Sequence, residues 1–459
     1  MKRTLAEFAR VCGGRLSGAD GDFTDVVSDS RTLSAGQLFV ALPGPNFNGG
    51  DFVAQAAKAG AAGAVVNSAR PVPLPQIVVG DAQSALERAA RAWREQFEGP
   101  LVGVAGSNGK TTAKEMTASI LAQAGECLAT RGNLNNHIGV PLTLLRLTSV
   151  HRFAVIEMGA NHAGEVAALV ETARPTIGMI TNAGAEHLEG FGSLEGVARA
   201  EGEMVAGLAA DAVAVINADD EFAGMWREST AARVVTFGVR APADYRASEP
   251  RVCVGADGFR TRFRLDAPHG SAPIELRVGG AHNIANALAA AAAAASAGAS
   301  LEHIAAGLAA VRAVAGRLQF KQARGGAWLI DDSYNANPSS VRAAIEVLAS
   351  VAGRRWLVLG DMGELGEHAI DAQGAIGEFA RAEGVERLYA TGPLMAGAVR
   401  SFGAGAQWFT DVAALTAAVQ QALGGAGPDV RLLIKGSRFN RLERVVTALT
   451  GDSTAASAH

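Results

Sequence analysis

A glycine-rich loop stands where a predicted strand runs into a predicted helix. The apolar run Leu101–Ala105 is followed by Gly-Ser-Asn-Gly-Lys-Thr-Thr at 106–112 and then by helix-forming residues. Backbone N–H groups and the helix N-terminus of such a loop point at an anion, and a lysine adds a full positive charge. The pattern predicts a nucleoside triphosphate site formed by Gly106, Ser107, Asn108, Gly109, Lys110, Thr111 and Thr112.

One position departs from the common form of this loop. Val104 stands where the usual pattern has its first glycine. A chance glycine-rich turn is therefore the alternative interpretation. The apolar strand before the loop and the helix after it argue against chance, because a phosphate cradle of this kind is built from both.

Phosphoryl transfer also needs a metal ion held by a hydroxyl and a carboxylate. Thr111 offers the hydroxyl, and Glu157 ends the apolar strand at 153–157. His187 follows the next predicted strand, so both side chains are expected at the carboxyl edge of a parallel sheet. We predict Lys110, Glu157 and His187 as catalytic, and Thr111, Glu157 and His187 as magnesium ligands. Taken alone, a loop histidine is more often structural, and a strand-end acid is often only solvated.

The composition is that of a soluble globular protein. Of the 459 residues, 49% are hydrophobic and 19% charged, and 41 basic against 45 acidic residues leave a net charge of −4. This balance does not favour a nucleic-acid or membrane partner. Three scattered cysteines predict a reducing, cytoplasmic setting. We expect no secretion signal and no membrane insertion, since no run of about eighteen apolar residues occurs.

The elements that must position these residues follow an α/β pattern of three domains, predicted at 1–99, 100–312 and 313–459. Strands and helices alternate through most of the chain, which indicates mostly parallel sheets covered on both faces. Residues 245–278 instead alternate apolar with polar and predict an antiparallel insert. The alanine-rich stretch at 286–297 predicts a buried helix, the last domain is predicted to be doubly wound, and the tail after Gly451 is predicted to be disordered.

Several motifs together resemble the Mur ligases, a family of ATP-dependent amide ligases of peptidoglycan synthesis. The resemblance extends from about residue 27 to about residue 440 and includes the missing first glycine of the loop. It is carried by the loop at 106–112, Asn-Asn-His-Ile-Gly-Val-Pro at 135–141, Glu-Met-Gly-Ala-Asn at 157–161, His187, His-Asn-Ile-Ala-Asn-Ala at 282–287, Gly316-Arg317, Asp-Asp-Ser-Tyr-Asn-Ala-Asn-Pro at 331–338 and Lys-Gly-Ser-Arg at 435–438.

The resemblance implies a small first domain that holds the uridine diphosphate of the substrate and a central domain that binds ATP and two magnesium ions. Asn283 would face the adenine, Arg317 the phosphates and Asp332 the ribose. The substrate-binding residues would be Ser30, Arg31, Asn48, Asn135, Asn136, Tyr334, Asn337 and Ser437. Helix capping is the alternative for Asn337 and Ser437, because both precede predicted helix starts.

The resemblance also implies an activity in which ATP phosphorylates a carboxylate and an amine then attacks the acyl phosphate. The best-matching activity joins D-alanyl-D-alanine to UDP-N-acetylmuramoyl-tripeptide, with a monomer expected. The rival activity adds meso-diaminopimelate or lysine. Its diaminopimelate-adding form carries an Asp-Asn-Pro-Arg motif, whereas here Asn337-Pro338 is followed by two serines. An ATP-binding regulator without ligase activity and a P-loop kinase are further alternatives.

One position departs from the family pattern. Many relatives carry a lysine, converted to a carbamate by carbon dioxide, in the helix after the His187 loop. The aligned position here holds Glu201, which we predict as a further magnesium ligand that needs no carbamate. Glu203 is the alternative if the register slips by two residues.

Overall fold

The computed structural model describes residues 3–255 and 258–451, which form three α/β units. The predicted tail after Gly451 lies outside the described residues. Each unit is built on its own sheet, of five, nine and six strands respectively. The predicted class, three α/β domains with mostly parallel sheets, is confirmed.

The first unit places three helices around its sheet, whose strand order is β1-β7-β6-β3-β2 with only β1 antiparallel to its neighbour. A separate two-stranded hairpin joins β4 to β5. The elements are α1 (Leu5–Cys12), β1 (Arg15–Ser17), β2 (Val26–Val27), β3 (Leu38–Val40), β4 (Pro43–Gly44), β5 (Phe47–Asn48), a 3-10 helix (Gly49–Phe52), α2 (Val53–Lys58), β6 (Gly63–Val66), β7 (Gln76–Val78) and α3 (Ala82–Arg94).

The second unit contains the glycine-rich loop, between the first strand and the first helix of its series. The elements are β8 (Leu101–Ala105), α4 (Lys110–Leu121), β9 (Cys127–Ala129), α5 (Gly139–Leu144), β10 (Phe153–Glu157), α6 (Glu165–Ala173), β11 (Ile177–Ile180), α7 (Leu188–Phe191), α8 (Leu194–Ala206), β12 (Val213–Asn217), α9 (Ala223–Ser229), β13 (Arg233–Gly238), β14 (Tyr245–Gly255), β15 (Gly258–Ala267), β16 (Gly270–Leu276), α10 (Ala281–Ser296) and α11 (Leu301–Ala310).

The sheet order of this unit is β16-β15-β14-β13-β12-β11-β8-β10-β9. From β9 to β14 every neighbouring pair is parallel, whereas β14, β15 and β16 pair antiparallel. The predicted antiparallel insert is therefore confirmed, and it extends the parallel sheet instead of forming a sheet of its own. Strand β8 lies between β10 and β11, so the loop after β8 opens beside the ends of both neighbours.

The third unit is built from strands and helices that alternate along the chain. The elements are β17 (Gln319–Gln322), β18 (Trp328–Asp332), α12 (Pro338–Ala349), β19 (Arg354–Gly360), a 3-10 helix (Gly366–His368), α13 (Ala369–Ala382), β20 (Arg387–Thr391), α14 (Met395–Phe402), β21 (Ala406–Phe409), α15 (Val412–Gly424), β22 (Val430–Lys435), a 3-10 helix (Arg438–Asn440) and α16 (Glu443–Thr450). The sheet order is β17-β18-β22-β19-β20-β21, in which only β17 is antiparallel to its neighbour.

Helix α10 is the alanine-rich helix predicted from the sequence, and it is buried as predicted. It packs on α4 and on the sheet from β11 to β14. Alanine suits this position because it combines the highest helix propensity with a side chain small enough for close approach. The described residues contain no helix that is both apolar enough and long enough to cross a bilayer.

The units are joined in two different ways. The first and second share one apolar core, and the Trp93 indole also donates a hydrogen bond to Leu147 O at 2.9 Å. Buried Arg94 donates to Ala173 O at 2.8 Å across the same junction. The third unit has its own cores, to which the insert contributes Phe259. The first two units therefore form one continuous body, and the third is packed separately.

The contact between α4 and α11 depends on a glycine. A Cβ atom at Gly307 would lie 2.4 Å from the Ile120 Cα atom, which is backbone and has no rotamer to change. We expect Gly307→Ala to destabilise the protein by about 1–3 kcal/mol, the usual cost of overpacking. The measurement is the midpoint of denaturant unfolding. Gly224→Ala is the matched control, since that helical glycine has open space around its Cβ position, and an equal midpoint for both variants would contradict the prediction.

Candidate active site

The glycine-rich loop adopts a backbone that only glycine adopts readily at two positions. Gly106 and Gly109 have φ values of 119° and 85°. A Cβ atom at Gly109 would also lie 2.3 Å from Asn286 Oδ1. Helix α4 begins at Lys110 directly after the loop. Three of the loop N–H groups already have partners, since Gly106 donates to Glu201 and both Ser107 and Asn108 donate to Asn182. The helix N-terminus at Lys110 is the part of the loop that suits an anion.

Lys110 begins α4 and is partly buried among carboxylates, with its side chain 16% exposed. Its ammonium donates to Ser107 O at 3.1 Å and to Glu186 Oε1 at 3.0 Å. Burial lowers the pKa of Lys110, but the nearby carboxylates, Glu186 and Glu201 foremost, outweigh burial and leave the pKa above its ordinary value. The lysine is therefore held as a cation, with Glu186 supplying the negative charge beside it.

Glu157 ends strand β10 one strand away from the loop, and its two oxygens have different surroundings. Oε1 accepts hydrogen bonds from the Thr111 hydroxyl at 3.2 Å and from Asn135 Nδ2 at 2.9 Å. Oε2 is buried without a hydrogen-bond partner among the described residues, and the fully buried Lys114 ammonium lies 4.0 Å from it. A buried carboxylate oxygen without a hydrogen bond is costly, and the nearby Lys114 ammonium offsets part of that cost.

Glu201 reaches the same loop from helix α8. Its Oε2 atom accepts a hydrogen bond from the Gly106 N–H at 2.6 Å. Burial raises the pKa of Glu201 to about 7, although Lys110 opposes that shift. Glu203 instead accepts from Gly164 N and Ala167 N at the start of α6. Of the two candidates in this helix, Glu201 is the one beside the loop.

His187 is held toward the third unit. Its backbone is left-handed with φ of 50°, immediately before α7. Its Nδ1 atom contacts the carboxylate of Glu364, on the loop after β19. The imidazole lines the same cavity as Lys110 and Glu157, a space of about 390 Å³. The structure therefore brings His187 to the predicted site but gives it a partner from another unit.

A second cavity of about 370 Å³ adjoins the loop and lies between the second and third units. Asn283, Arg317 and Asp332 all line it, together with Asn108, Gly109 and Thr112. Asn283 donates to Gly279 O at 2.6 Å and accepts from Asn286, which fixes its amide. Asp332 accepts from Leu318 N and from the buried Lys435 ammonium at 2.6 Å. The residues predicted to face the nucleotide are thus brought together, and their individual roles stay predictions.

Side chains of the third unit hydrogen-bond directly to the loop. Asn337 Nδ2 donates to Asn108 Oδ1 at 2.8 Å, and Asn108 Nδ2 donates to Ser339 Oγ at 3.1 Å. Asn337 Nδ2 also lies 3.4 Å from Glu186 Oε2. Asn337 caps α12 as well, accepting from Ser340 N at 2.8 Å. Asn337 therefore caps a helix and also contacts the glycine-rich loop, so its contacts agree with both interpretations.

The remaining predicted residues divide between two places. Asn135, Asn136 and Tyr334 line the larger cavity with Lys110, whereas Ser437 is tied to Gly363 N and Ala336 O. The three residues predicted to hold the uridine diphosphate belong to the first unit, and none is among the described residues lining either cavity. They are Ser30, bonded to Gln55; Arg31, paired with Asp29; and Asn48, which caps the 3-10 helix after β5.

Three charged residues of the site were not predicted. Glu186 pairs with Lys110, Lys435 pairs with Asp332, and buried Lys114 lies beside Glu157. Lys435 did carry a signal, since it ends the apolar run of β22 as Glu157 ends that of β10. Glu186 and Lys114 stand among residues that do not set them apart from ordinary surface residues, and only the tertiary structure shows that both are buried.

A metal ion is compatible with these residues. No group of three or more His, Cys, Asp or Glu side chains in residues 3–255 and 258–451 is arranged to hold one. Magnesium, however, is usually bound by one or two carboxylates together with substrate phosphates and water. The buried free oxygen of Glu157 and the adjacent Thr111 hydroxyl match that donor set.

A phosphate loop in a parallel sheet, faced across a cavity by a second α/β unit, defines a nucleotide-dependent enzyme. Three family models match the chain: "Mur ligase family, catalytic domain" at 22–96, "Mur ligase middle domain" at 104–294 and "Mur ligase, glutamate ligase domain" at 316–438. The chain belongs to the Mur ligase family.

Individual relatives match over almost their whole length. The UDP-N-acetylmuramoyl-tripeptide--D-alanyl-D-alanine ligase of Escherichia coli (strain K12) is 43% identical, with 98% of this chain and 99% of that protein covered. The enzyme of the same name from Haemophilus influenzae is 37% identical over 98% of each chain. A crystal structure of MurF from Acinetobacter baumannii is 33% identical, covers 98% of this chain and 99% of its own, and superposes with a TM-score of 0.91.

The raised pKa of Glu201 makes the stability of the protein depend on pH. An unfolded glutamate loses its proton near its ordinary pKa of about 4.3, whereas folded Glu201 keeps it up to about 7. The folded state therefore binds more protons between these values, and stability falls as pH rises through that window. We expect Glu201→Gln to remove this fall, so that the difference in unfolding free energy between variant and wild type grows by up to about 3 kcal/mol from pH 4.5 to 8.

The measurement is denaturant unfolding of both proteins without nucleotide across that pH range. A constant offset between them reports only the pH-independent cost of replacing the side chain. Parallel pH profiles would show that Glu201 has an ordinary pKa in the folded protein.

Proposed function

We propose that this protein is an ATP-dependent ligase that joins D-alanyl-D-alanine to UDP-N-acetylmuramoyl-tripeptide, giving the UDP-muramoyl-pentapeptide precursor of peptidoglycan. One observation carries the proposal: Lys110 and Glu157 lie in a cavity that side chains of the third unit, Asn337 and Tyr334, complete. A kinase or a regulator would not need side chains of a third unit to complete the cavity. The named relatives match over the full chain at up to 43% identity, which supports the same substrates.

The chemistry begins with a carboxylate, which is a poor electrophile until it is phosphorylated. Lys110 binds the terminal phosphate of ATP, because it brings a full positive charge to the start of α4, directly after the glycine-rich loop. Glu186, which neutralises Lys110 at 3.0 Å, is the group that the phosphate oxygens displace. As negative charge shifts among the phosphoryl oxygens, the preorganised Lys110 and loop donors stabilise it without reorganisation.

Thr111 and Glu157 would hold a magnesium ion, which when bound neutralises part of the phosphate charge. His187 and Glu201 would serve a second ion in this proposal. One carboxylate oxygen of Glu201 accepts from the loop, and the side chain is buried and outside the lining of both cavities. Asn135 keeps Glu157 oriented through its hydrogen bond to Oε1.

The amine of D-alanyl-D-alanine then attacks the acyl phosphate, which must be protected from water. The hydrogen bond that Asn337 donates to Asn108 and the one that Asn108 donates to Ser339 close one side of the cavity. The contact between His187 and Glu364 closes another. Third-unit side chains thus shield the position where the reactive intermediate forms.

The proposal gives each unit a role and gives the protein an oligomeric state and a cellular location. Residues 1–99 bind the UDP-muramoyl substrate through Ser30, Arg31 and Asn48, residues 100–312 bind ATP, and residues 313–459 close over the nucleotide and bind the dipeptide. The protein acts as a monomer in the cytoplasm. The rival activity, addition of meso-diaminopimelate or lysine, is not favoured, because the serines after Pro338 replace the arginine that it uses.

Lys110 provides the first test. We expect Lys110→Ala to lose at least about 100-fold in turnover, the typical cost of removing one charge-stabilising donor. Purified protein is incubated with ATP, magnesium, D-alanyl-D-alanine and UDP-muramoyl-tripeptides, and the product is weighed by mass spectrometry. The exposed Lys58→Ala is the matched control. Phosphate release by the wild type without acceptor or dipeptide would point to a different enzyme, and full activity of Lys110→Ala would refute the mechanism.

Bicarbonate provides the second test, because deprotonated Glu201 would supply without modification the negative charge that a carbamate would bring. We expect the turnover of the wild type to be the same in bicarbonate-depleted and bicarbonate-supplemented buffers. Glu201→Lys is the matched variant, since it restores a side chain that carbon dioxide can modify. A strong bicarbonate requirement of the wild type would defeat this role of Glu201.

A further inference from the structure

Two arginines of the third unit lie over one aromatic ring beside the cavity. The Arg317 guanidinium is 4.5 Å from the centroid of the Tyr334 ring, and the Arg438 guanidinium is 5.5 Å from it. Tyr334 itself lines the cavity that contains Lys110 and Glu157. The ring face therefore holds two positive charges at the edge of the site, where each gains a cation–π contact.

Most other cations of the site are already neutralised. Lys110 pairs with Glu186, and Lys435 pairs with Asp332 at 2.6 Å. Arg438 is paired more loosely, because its ion pair with Glu443 spans 3.9 Å, beyond hydrogen-bond distance. Arg317 contacts the Tyr334 ring and forms no salt bridge within residues 3–255 and 258–451. Across residues 3–255 and 258–451, no hydrogen bond from the Arg438 guanidinium is found, and its side chain is 60% exposed. Its donors are therefore available to a ligand.

The backbone that carries Arg438 is rigidly tied. Ser437 Oγ donates to Ala336 O at 3.1 Å and accepts from Gly363 N at 3.0 Å. Asn440 Nδ2 donates to Asp361 O at 2.8 Å on the other side of the same turn. An arginine on such a turn, stacked on Tyr334, loses little further freedom when it binds an anion.

The nucleophile requires a cation at a particular place. A dipeptide must bring its amine to the acyl phosphate, while its carboxylate lies about 7 Å away at the other end of two residues. Negative charge near the ATP phosphates would repel that carboxylate, so its partner belongs at the outer side of the cavity. Arg317 lines both cavities, including the one beside the loop. Arg438 lines neither and reaches the site only over Tyr334.

We propose that Arg438 binds the carboxylate of the dipeptide nucleophile, with Tyr334 packing against its guanidinium and Glu443 orienting it. The planar guanidinium can donate two parallel hydrogen bonds to a carboxylate, which gives both affinity and direction. The residue thereby selects a nucleophile with a free C-terminal carboxylate. This inference rests on the proposed ligase function and names a substrate contact within it.

The test compares D-alanyl-D-alanine with its C-terminal amide, which keeps the amine and both methyl groups but lacks the carboxylate. Steady-state rates are measured on the full chain with ATP and UDP-muramoyl-tripeptide saturating. We expect the wild type to use the amide at least tenfold less efficiently. Arg438→Ala should raise the KM for the dipeptide by a similar factor, leave the KM for ATP within twofold, and no longer distinguish dipeptide from amide.

Two further variants keep the test decisive. Arg444→Ala removes an exposed arginine from the neighbouring helix and should behave as wild type. Arg438→Lys keeps the positive charge but lacks the planar guanidinium that can donate two parallel hydrogen bonds. We therefore expect its KM for the dipeptide to lie between those of wild type and Arg438→Ala. The lysine variant replaces the alanine variant if that one fails to fold. Undiminished discrimination between dipeptide and amide in both Arg438 variants would overturn this assignment alone. No product from the wild type with any dipeptide would overturn the proposed function itself.

Discussion

The partly buried ammonium of Lys110 lies beside Glu186 and near Glu157 and Glu201, and the charges around the glycine-rich loop are arranged to neutralise it. A buried cation without partners would cost several kcal/mol, so carboxylates must converge on it from neighbouring elements. They come from the ends of β10 and β11 and from α8. In the proposed mechanism a phosphate displaces Glu186 from Lys110. The negative charge that the phosphate adds is what the proposed magnesium ion would neutralise.

The way the units are joined suits this chemistry. The first two units share an apolar core, and Arg94 and Trp93 add buried hydrogen bonds across the junction. Apolar burial on this scale resists separation. The third unit meets the loop through polar side chains, chiefly Asn108 and Asn337. Such polar contacts exchange readily with water, as in interfaces between domains that move.

Sequence patterns were sufficient where the controlling physics is local. The strand, loop and helix around Lys110, the alanine-rich helix α10 and the antiparallel insert all form as predicted. Periodicity and glycine conformation act over a few residues and leave a direct trace in the chain. The pairings of Glu186 and Lys114 left no such trace, because each depends on residues that are distant in sequence. The same holds for Arg438, whose motif was recognised but whose stacking on Tyr334 was not.

The sequence by itself determined the class of the protein: a phosphate loop on a parallel sheet, three α/β domains and the motifs of one ligase family. These depend on residue types at fixed spacing, and short-range sterics and hydrogen bonding make that spacing meaningful. Only the tertiary structure decided which charges meet. It placed Glu201 rather than Glu203 on the loop, gave His187 a carboxylate from another unit and left Glu157 with one free oxygen. Burial and pairing of charge are set by packing between distant segments, which no local pattern records.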